Sequence, residues 1–172
     1  MVKIVKQDLN KNKQKYQEVE RLLKEKLDMS VPISHVGSTA IPDMYGKNII
    51  DILVGAKDTF EFEKIYKILV EIGYFPGTTS SSKIYQFFAS RKEETVDGDI
   101  HIHLVISLTD RYKDFLVLKE YLLNNKDEVE AYSNHKKELI ENGNIDRNEY
   151  KRIKSVYVSN LIEKAKKKAN IN

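Results

Sequence analysis

Ser34-His35-Val36-Gly37-Ser38-Thr39-Ala40-Ile41-Pro42, followed by Gly46-Lys47-Asn48-Ile49-Ile50-Asp51-Ile52-Leu53-Val54, is the stretch on which the fold of this chain turns. Residues 31–36 are mostly apolar and run into Gly37-Ser38; residues 49–54 are apolar except for one carboxylate, Asp51, between Ile50 and Ile52. The pattern predicts two strands joined by a polar turn. A lone acid in a β-like run must face solvent, find a partner or bind a cation, because burying it unpaired is costly. Gly37-Ser38 offers backbone N–H groups and a hydroxyl at a strand end, a common way to hold phosphate oxygens. Two readings therefore stand side by side. One is a phosphate grip with a metal-binding carboxylate; the other is a turn followed by a strand whose Asp points outward.

Working outward, residues 2–6 alternate apolar and basic, as a short edge strand would. Over 8–28, Tyr16, Val19, Leu22, Leu23 and Leu27 recur at helical steps, with Lys, Gln and Glu opposite. Pro42 and Gly46 make the segment after Ser38 a loop or at most one helical turn. Asp58 with Glu61 is a capping pattern that opens a helix over 58–72, carrying Phe62, Ile65, Leu69 and Ile72 and stopping at Gly73. Residues 74–82, with Pro76, Gly77 and a Thr/Ser run, read as a flap. Strands are predicted over 83–90 and 99–106, joined by a turn over 91–98. In the second, Ile100, Ile102, Leu104 and Ile106 share one face and Asp99, His101, His103 and Val105 the other. From Asp110 onward the chain reads as helix. Further starts fall at Asn125 with Glu128 and at Asp146 with Glu149, either side of a break at Asn142-Gly143-Asn144. Tyr150, Ile153, Tyr157 and Leu161 form the stripe of the last helix, and lysines over 164–168 read as a solvated, fraying tail. The expectation is an α+β fold, a mixed β-sheet flanked by helices, in one domain over 1–172.

His35-Val36-Gly37-Ser38-Thr39-Ala40-Ile41-Pro42 with Lys47 and Ile49-Ile50-Asp51-Ile52 resembles the signature of the GrpB (UPF0157-type) family, of the nucleotidyltransferase superfamily. The resemblance continues through Asp99-Ile100-His101-Ile102-His103-Leu104, Tyr121, Tyr132, Lys136-Lys137, Tyr150 and Lys154, so it covers nearly the whole chain. It implies a nucleotidyltransferase-like fold with a helical C-terminal part. It also implies transfer of a nucleotidyl group from an NTP to a small hydroxyl or phosphate acceptor. On that reading Gly37 and Ser38 hold phosphates, Lys47, Arg91, Lys136 and Lys154 meet the anionic substrate, and Asp51 binds the metal. The chain departs from the superfamily pattern at Leu53, where a second carboxylate two residues after Asp51 is expected. Asp99, His101 and His103 are the candidates to fill that gap; the plainer reading of the histidines is hydrogen bonding across a sheet. The implied cofactor is magnesium or manganese, or zinc if the imidazoles ligate. Leu53 also supports a reading of another class, a non-catalytic nucleotide- or metal-binding module. His35 falls near the turn, either to meet a phosphate or to satisfy a backbone carbonyl. Arg91 is either an anion contact or turn decoration beside Glu93 and Glu94. Tyr150 reads first as core.

Composition narrows the rest. The chain has 172 residues, 41% hydrophobic and 32% charged, which suits a globular protein with a proper core. No cysteine is present, so thiol nucleophiles, disulfides and zinc–thiolate sites are excluded. A net charge of +3, with lysines interleaved with acids, argues against a nucleic-acid partner. No apolar signal core or membrane-length window occurs, so a cytoplasmic location without a membrane partner is expected. Walker A, Gly-x-Gly-x-x-Gly, Gly-x-Ser-x-Gly and His-Glu-x-x-His motifs are all missing. Base, acceptor and oligomeric state stay open at this stage.

Overall fold

The computed structural model describes residues 3–78, 81–90, 99–141 and 146–169. In chain order the elements are β1 (Val5–Lys6), α1 (Leu9–Lys26), β2 (Ile33–Val36), a 3₁₀ turn (Ser38–Ala40), β3 (Tyr45–Gly46) and β4 (Ile50–Ala56). There follow α2 (Thr59–Glu71), β5 (Phe75–Pro76), β6 (Tyr85–Ala89), β7 (Ile100–Ile106), α3 (Asp110–Leu123), α4 (Lys126–Glu141) and α5 (Arg147–Lys168). Five strands form one mixed sheet in the order β2-β4-β7-β6-β5, while β1 pairs with β3 apart from it. The α+β architecture expected from the sequence is the architecture observed. β2 lies antiparallel beside β4, and β6 antiparallel beside β7. The central pair, β4 and β7, is parallel, so the chain between them must cross back.

Strand alternation decides how each face is covered. Ile50, Ile52 and Val54 of β4, Ile102 and Leu104 of β7 and Phe88 of β6 point to one side. There they pack on Val19 and Leu23 of α1 and on Phe62, Ile65 and Leu69 of α2. The other side carries Val36, Leu53, Tyr85 and Val105, met by Tyr112, Phe115 and Leu116 of α3. A third cluster joins Ile41 and Met44, just past the 3₁₀ turn, to Leu122, Val129, Tyr132 and Leu161 of the C-terminal helices. Two predicted caps form, the Asp58 and Asp146 carboxylates accepting from Glu61 and Glu149 N–H, and Asp8 adds one at α1 by accepting from Lys11 N–H. Such a cap stabilises a helix by about 1 kcal/mol. The Asn125 side chain, read as a cap for α4, instead donates to the Tyr121 carbonyl.

Four details depart from the pattern reading. Leu22, on the predicted apolar stripe of α1, is 38% exposed, because Leu23 takes the core position beside it. The 74–82 segment is not all flap: Phe75 and Pro76 pair with Ala89 and Phe88 as an edge strand, where a proline is tolerated. The segment after Ser38 contains β3 as well as one helical turn. The lysine-rich end does not fray. Lys164 pairs with Glu128, Lys166 with Asp114, and Ala165 between them is buried. The predicted turn over 91–98 and the Asn142-Gly143-Asn144 break lie outside the described residues.

Candidate functional site

Register brings the centre together. Asp51 stands opposite Val36 of β2 on one side and His101 of β7 on the other, with Leu53 opposite His103. Asp51, His101 and His103 thus project from the same face, at the end of the sheet where β2 runs into Gly37. His101 Nδ1 lies 3.3 Å from Asp51 Oδ1, and His103 Nε2 lies 3.6 Å from the same oxygen. The three side chains keep 19%, 15% and 24% of their surface for His101, His103 and Asp51 respectively, so solvent reaches the cluster. Burial works against ionisation of Asp51, but its polar contacts with His101 and His103 and their charge outweigh it. The carboxyl is held well below the usual carboxylate range.

Gly37 is fixed here by two constraints. Its φ is +72°, and a Cβ would land on Asp51 Oδ2. The turn backbone therefore lies directly on the carboxylate. The Ser38 hydroxyl packs against Gly46, where a Cβ would collide with it, and so is turned toward β3. Thr39, fully buried, anchors the turn from below through His35 Nε2 at 2.9 Å. His35 itself faces the other side of the sheet, where it is opposite Ile52 and stacks on Tyr16 with centroids 4.8 Å apart. Burial, with Lys119 adding to it, pushes His35 down to about 4, so it is neutral at ordinary pH. Of its two sequence readings neither describes it: it supports the turn through a threonine hydroxyl.

His103 is the more firmly held imidazole. Tyr85 Oη is 3.0 Å from its Nδ1, and the rings of Phe115 and Phe87 lie 4.7 and 5.7 Å away. Phe87 also meets His101 edge-on at 4.7 Å. Fixing one ring nitrogen by an outer partner is how a histidine presents the other in a set orientation. Tyr85, Phe115 and Tyr132 are site residues that sequence reasoning missed. The β6 alternation places Tyr85 on this face, but only the tertiary packing of α3 and α4 brings the other two. Tyr132 lies close enough for the Asp51 charge, after burial, to raise its phenol.

The remaining candidates separate. Asp99 is not brought to the cluster: one carboxylate oxygen takes Lys15 at 2.7 Å and the other accepts from Ser90 at 2.8 Å. It precedes β7 and turns to α1, so the alternation that placed it beside the histidines ends before it. Lys136 is only 2% exposed, with Nζ 4.1 Å from the Tyr132 ring centroid. Burial, and Lys154 nearby, push its amine down to about 7. A substrate therefore does not reach it in this arrangement. Lys154 is exposed, and Lys47, half-buried, lies 5.8 Å from the Tyr150 ring centroid. Tyr150 is core, at 4% exposure. Arg91 lies outside the described residues. Leu53, in the place of the second acid, is fully buried among Val36, Tyr85 and Val105.

Whether these residues fit a metal follows from the donor set. Oxygen and nitrogen atoms 3.3–3.6 Å apart are spaced like two ligands of one ion bound at about 2.0–2.2 Å. At 3.6 Å the pair is too long for a hydrogen bond. Among the described residues, though, no three His, Cys, Asp or Glu side chains are grouped to hold a metal by themselves. The set fits an ion that brings part of its own shell, as magnesium does with substrate phosphates. It does not fit a closed structural site.

A carboxylate pressed on a glycine turn, with two imidazoles from the neighbouring parallel strand, defines an α+β protein with a polar centre on the less covered face of its sheet. The sequence matches the GrpB protein family over residues 1–164, and the chain belongs to that family. It is 27% identical over 135 residues to the UPF0157 protein SCO7215 of Streptomyces coelicolor, covering 78% of this chain and 69% of that one. Its fold is that of the conserved protein GrpB from Enterococcus faecalis, with a TM-score of 0.81 at 21% identity over 97% of this chain and 99% of the other. A fainter likeness, TM-score 0.46 at 14% identity, is to the Cid1 poly(U) polymerase bound to MgGTP, over 67% of this chain and 38% of that chain.

Proposed function

We propose that the protein is a metal-dependent nucleotidyltransferase that moves a nucleotidyl group from an NTP to a small hydroxyl or phosphate acceptor. The observation that supports this reading is the closeness of the Gly37 turn to Asp51, where an added Cβ would land on Oδ2, so that a turn able to hold phosphate and a carboxylate able to hold a cation would act at one point. The Gly37–Ser38 turn would take phosphate oxygens, with Lys47 and Lys154 offsetting their charge. Asp51, with His101 or His103, would supply the protein ligands of a divalent ion whose other ligands arrive with the nucleotide. Magnesium or manganese suits the phosphates, and the imidazoles extend the choice to zinc. When bound, such an ion neutralises charge on the phosphoryl group under attack. Asp51 meets that role as a carboxylate that stays ionised, and Phe87 and Phe115 keep the imidazoles in place beside it.

A second reading has its own support. Leu53 fills the second-acid position with packed hydrocarbon, which favours a nucleotide- or metal-binding module without transfer activity. Calorimetric titration with NTPs, each with magnesium or manganese, tests both. Wild type is expected to bind only with metal, and Asp51→Asn to lose at least about tenfold in affinity, since Asn keeps the shape without the charge. Equal binding by the two proteins eliminates Asp51 as the metal ligand. Metal-dependent binding with no pyrophosphate release across a panel of hydroxyl and phosphate acceptors favours the module.

A further inference from the structure

Beyond His103 the polar floor of the site continues to a residue that the nucleotide reading does not use. Tyr85, whose hydroxyl touches His103 Nδ1, carries the guanidinium of Arg111 on its ring face, with Cζ 3.5 Å from the centroid. Arg111 is exposed and is the second residue of α3. The neighbouring carboxylate, Asp110, is 89% exposed and pairs with Lys113 at 3.6 Å. A line of contacts thus crosses one sheet face, from Asp51 through His103 and Tyr85 to Arg111.

Chemically, the two ends of this line differ. At the Asp51 end a carboxylate and imidazoles invite a cation. At the other end an obligatory cation lies over an aromatic ring. The ring occupies one face of the guanidinium and the Tyr85 hydroxyl meets part of its edge, while the rest of that edge is exposed; such an edge takes an oxyanion through two parallel hydrogen bonds. Stacking also fixes a long side chain in advance, so binding gives up less side-chain freedom.

Resting on the transferase reading above, we propose that Arg111, stacked on Tyr85, is an oxyanion subsite for the acceptor. The acceptor is then a hydroxyl compound that also bears a phosphate or carboxylate. Its anionic group sits on Arg111 and its body passes His103 toward Asp51, with the buried Tyr85 as the support beneath Arg111.

The test is an NMR titration of the intact chain in two steps. In the first, a non-hydrolysable NTP analogue with magnesium is added, and movement of the Gly37 and Ser38 amide signals decides the nucleotide reading alone. In the second, inorganic phosphate and, separately, acetate are titrated into the nucleotide-loaded protein, or into the free protein if the first step fails. The Arg111 Nε–H and Tyr85 ring signals are expected to move saturably, and the tighter of the two probes tells phosphate from carboxylate. Arg111→Gln should weaken the binding tenfold or more, and Arg111→Lys should restore only part of it, because an ammonium has no planar fork. Tyr85→Phe should keep the subsite and Tyr85→Leu should weaken it. Arg111 signals that move with neither anion, or an unchanged midpoint in Arg111→Gln, overturn the proposal whatever the first step gave.

Discussion

The two faces of the central sheet are made by the same strands and differ by a single residue of phase. On the face under α1 and α2, Ile50, Ile52 and Val54 pack in the main apolar cluster, the buried His35 beside Ile52 is neutral and bonded to Thr39, and two amphipathic helices close it. On the other face Leu53 and Val105 are equally buried, yet their neighbours Asp51, His101 and His103 are polar and keep access to solvent. α3 covers the apolar half of this second face and touches the polar half through Phe115, which packs on His103. Because side chains alternate strictly, a one-residue slip of β4 would exchange the two faces and bury Asp51 under α1. Polarity at Asp51 is thus tolerated by position, not by composition: the strand is apolar throughout apart from this residue.

That contrast is sharpest at positions 51 and 53, which share a face but not an environment. Leu53→Asp would restore the missing second acid in the sequence pattern. It would also put a charge into a fully buried cluster with Val36, Tyr85 and Val105, opposite a His103 whose two ring nitrogens already face Asp51 and Tyr85. The expected cost is about 3–5 kcal/mol, the range for an uncompensated buried charge, read as a fall in the urea midpoint. An unchanged midpoint with a gain in manganese affinity would erase the boundary between the two halves of the face.

Much of this was legible in the chain. The Ile/His alternation of 100–106 gave both faces of β7, and Gly37-Ser38 with Asp51 marked the meeting of turn and strand. The Asp58 and Asp146 caps were readable because capping is local. What stayed hidden depends on partners distant in sequence. Asp99 has the right parity for the His face, but Lys15, 84 residues away, claims it. Lys136 reads, through the resemblance, as a contact to anionic substrate, and only the fold shows it buried, with its amine over the Tyr132 ring one turn earlier on α4. Tyr85 and Arg111 carry no motif; their contact exists because the start of β6 pairs with the end of β7, just before α3 begins.

Lys136 sharpens the comparison from the helical side, since Tyr132 links it to the open face. Its amine, near 7 in the folded chain and 10.5 unfolded, is mostly neutral in the fold at alkaline pH while the unfolded chain is still protonated. The unfolded state then binds more protons, so stability rises between about pH 7 and 10.5, and below that window the fold carries the full penalty. Lys136→Met should remove that rise and add stability at neutral pH, on the order of a few kcal/mol for a shift of this size. Chemical denaturation of both proteins from pH 6 to 10.5 isolates the difference. Parallel curves would mean that the amine is charged and compensated in place.

The smallest expected effect concerns how the helices stand over the open face. Lys166 Nζ lies 2.6 Å from Asp114 Oδ1, tying the end of α5 to α3, and both side chains are less than a third exposed. α3 also carries Phe115, which packs on His103, and Arg111, so a tether on α3 bears on the floor of the site. The pair is partly solvated, and such pairs contribute up to about 1 kcal/mol. Lys166→Ala should therefore lower stability by no more than that, with the loss shrinking in 1 M salt, where charges are screened within about 3 Å. The α1/α2 face should not notice: amide exchange in α2 should stay as in wild type, while α3 and the last turns of α5 exchange faster. A salt-independent loss, or faster exchange spread evenly over both faces, would show that the two sides of the sheet open together and that the second face has no separate helical cover.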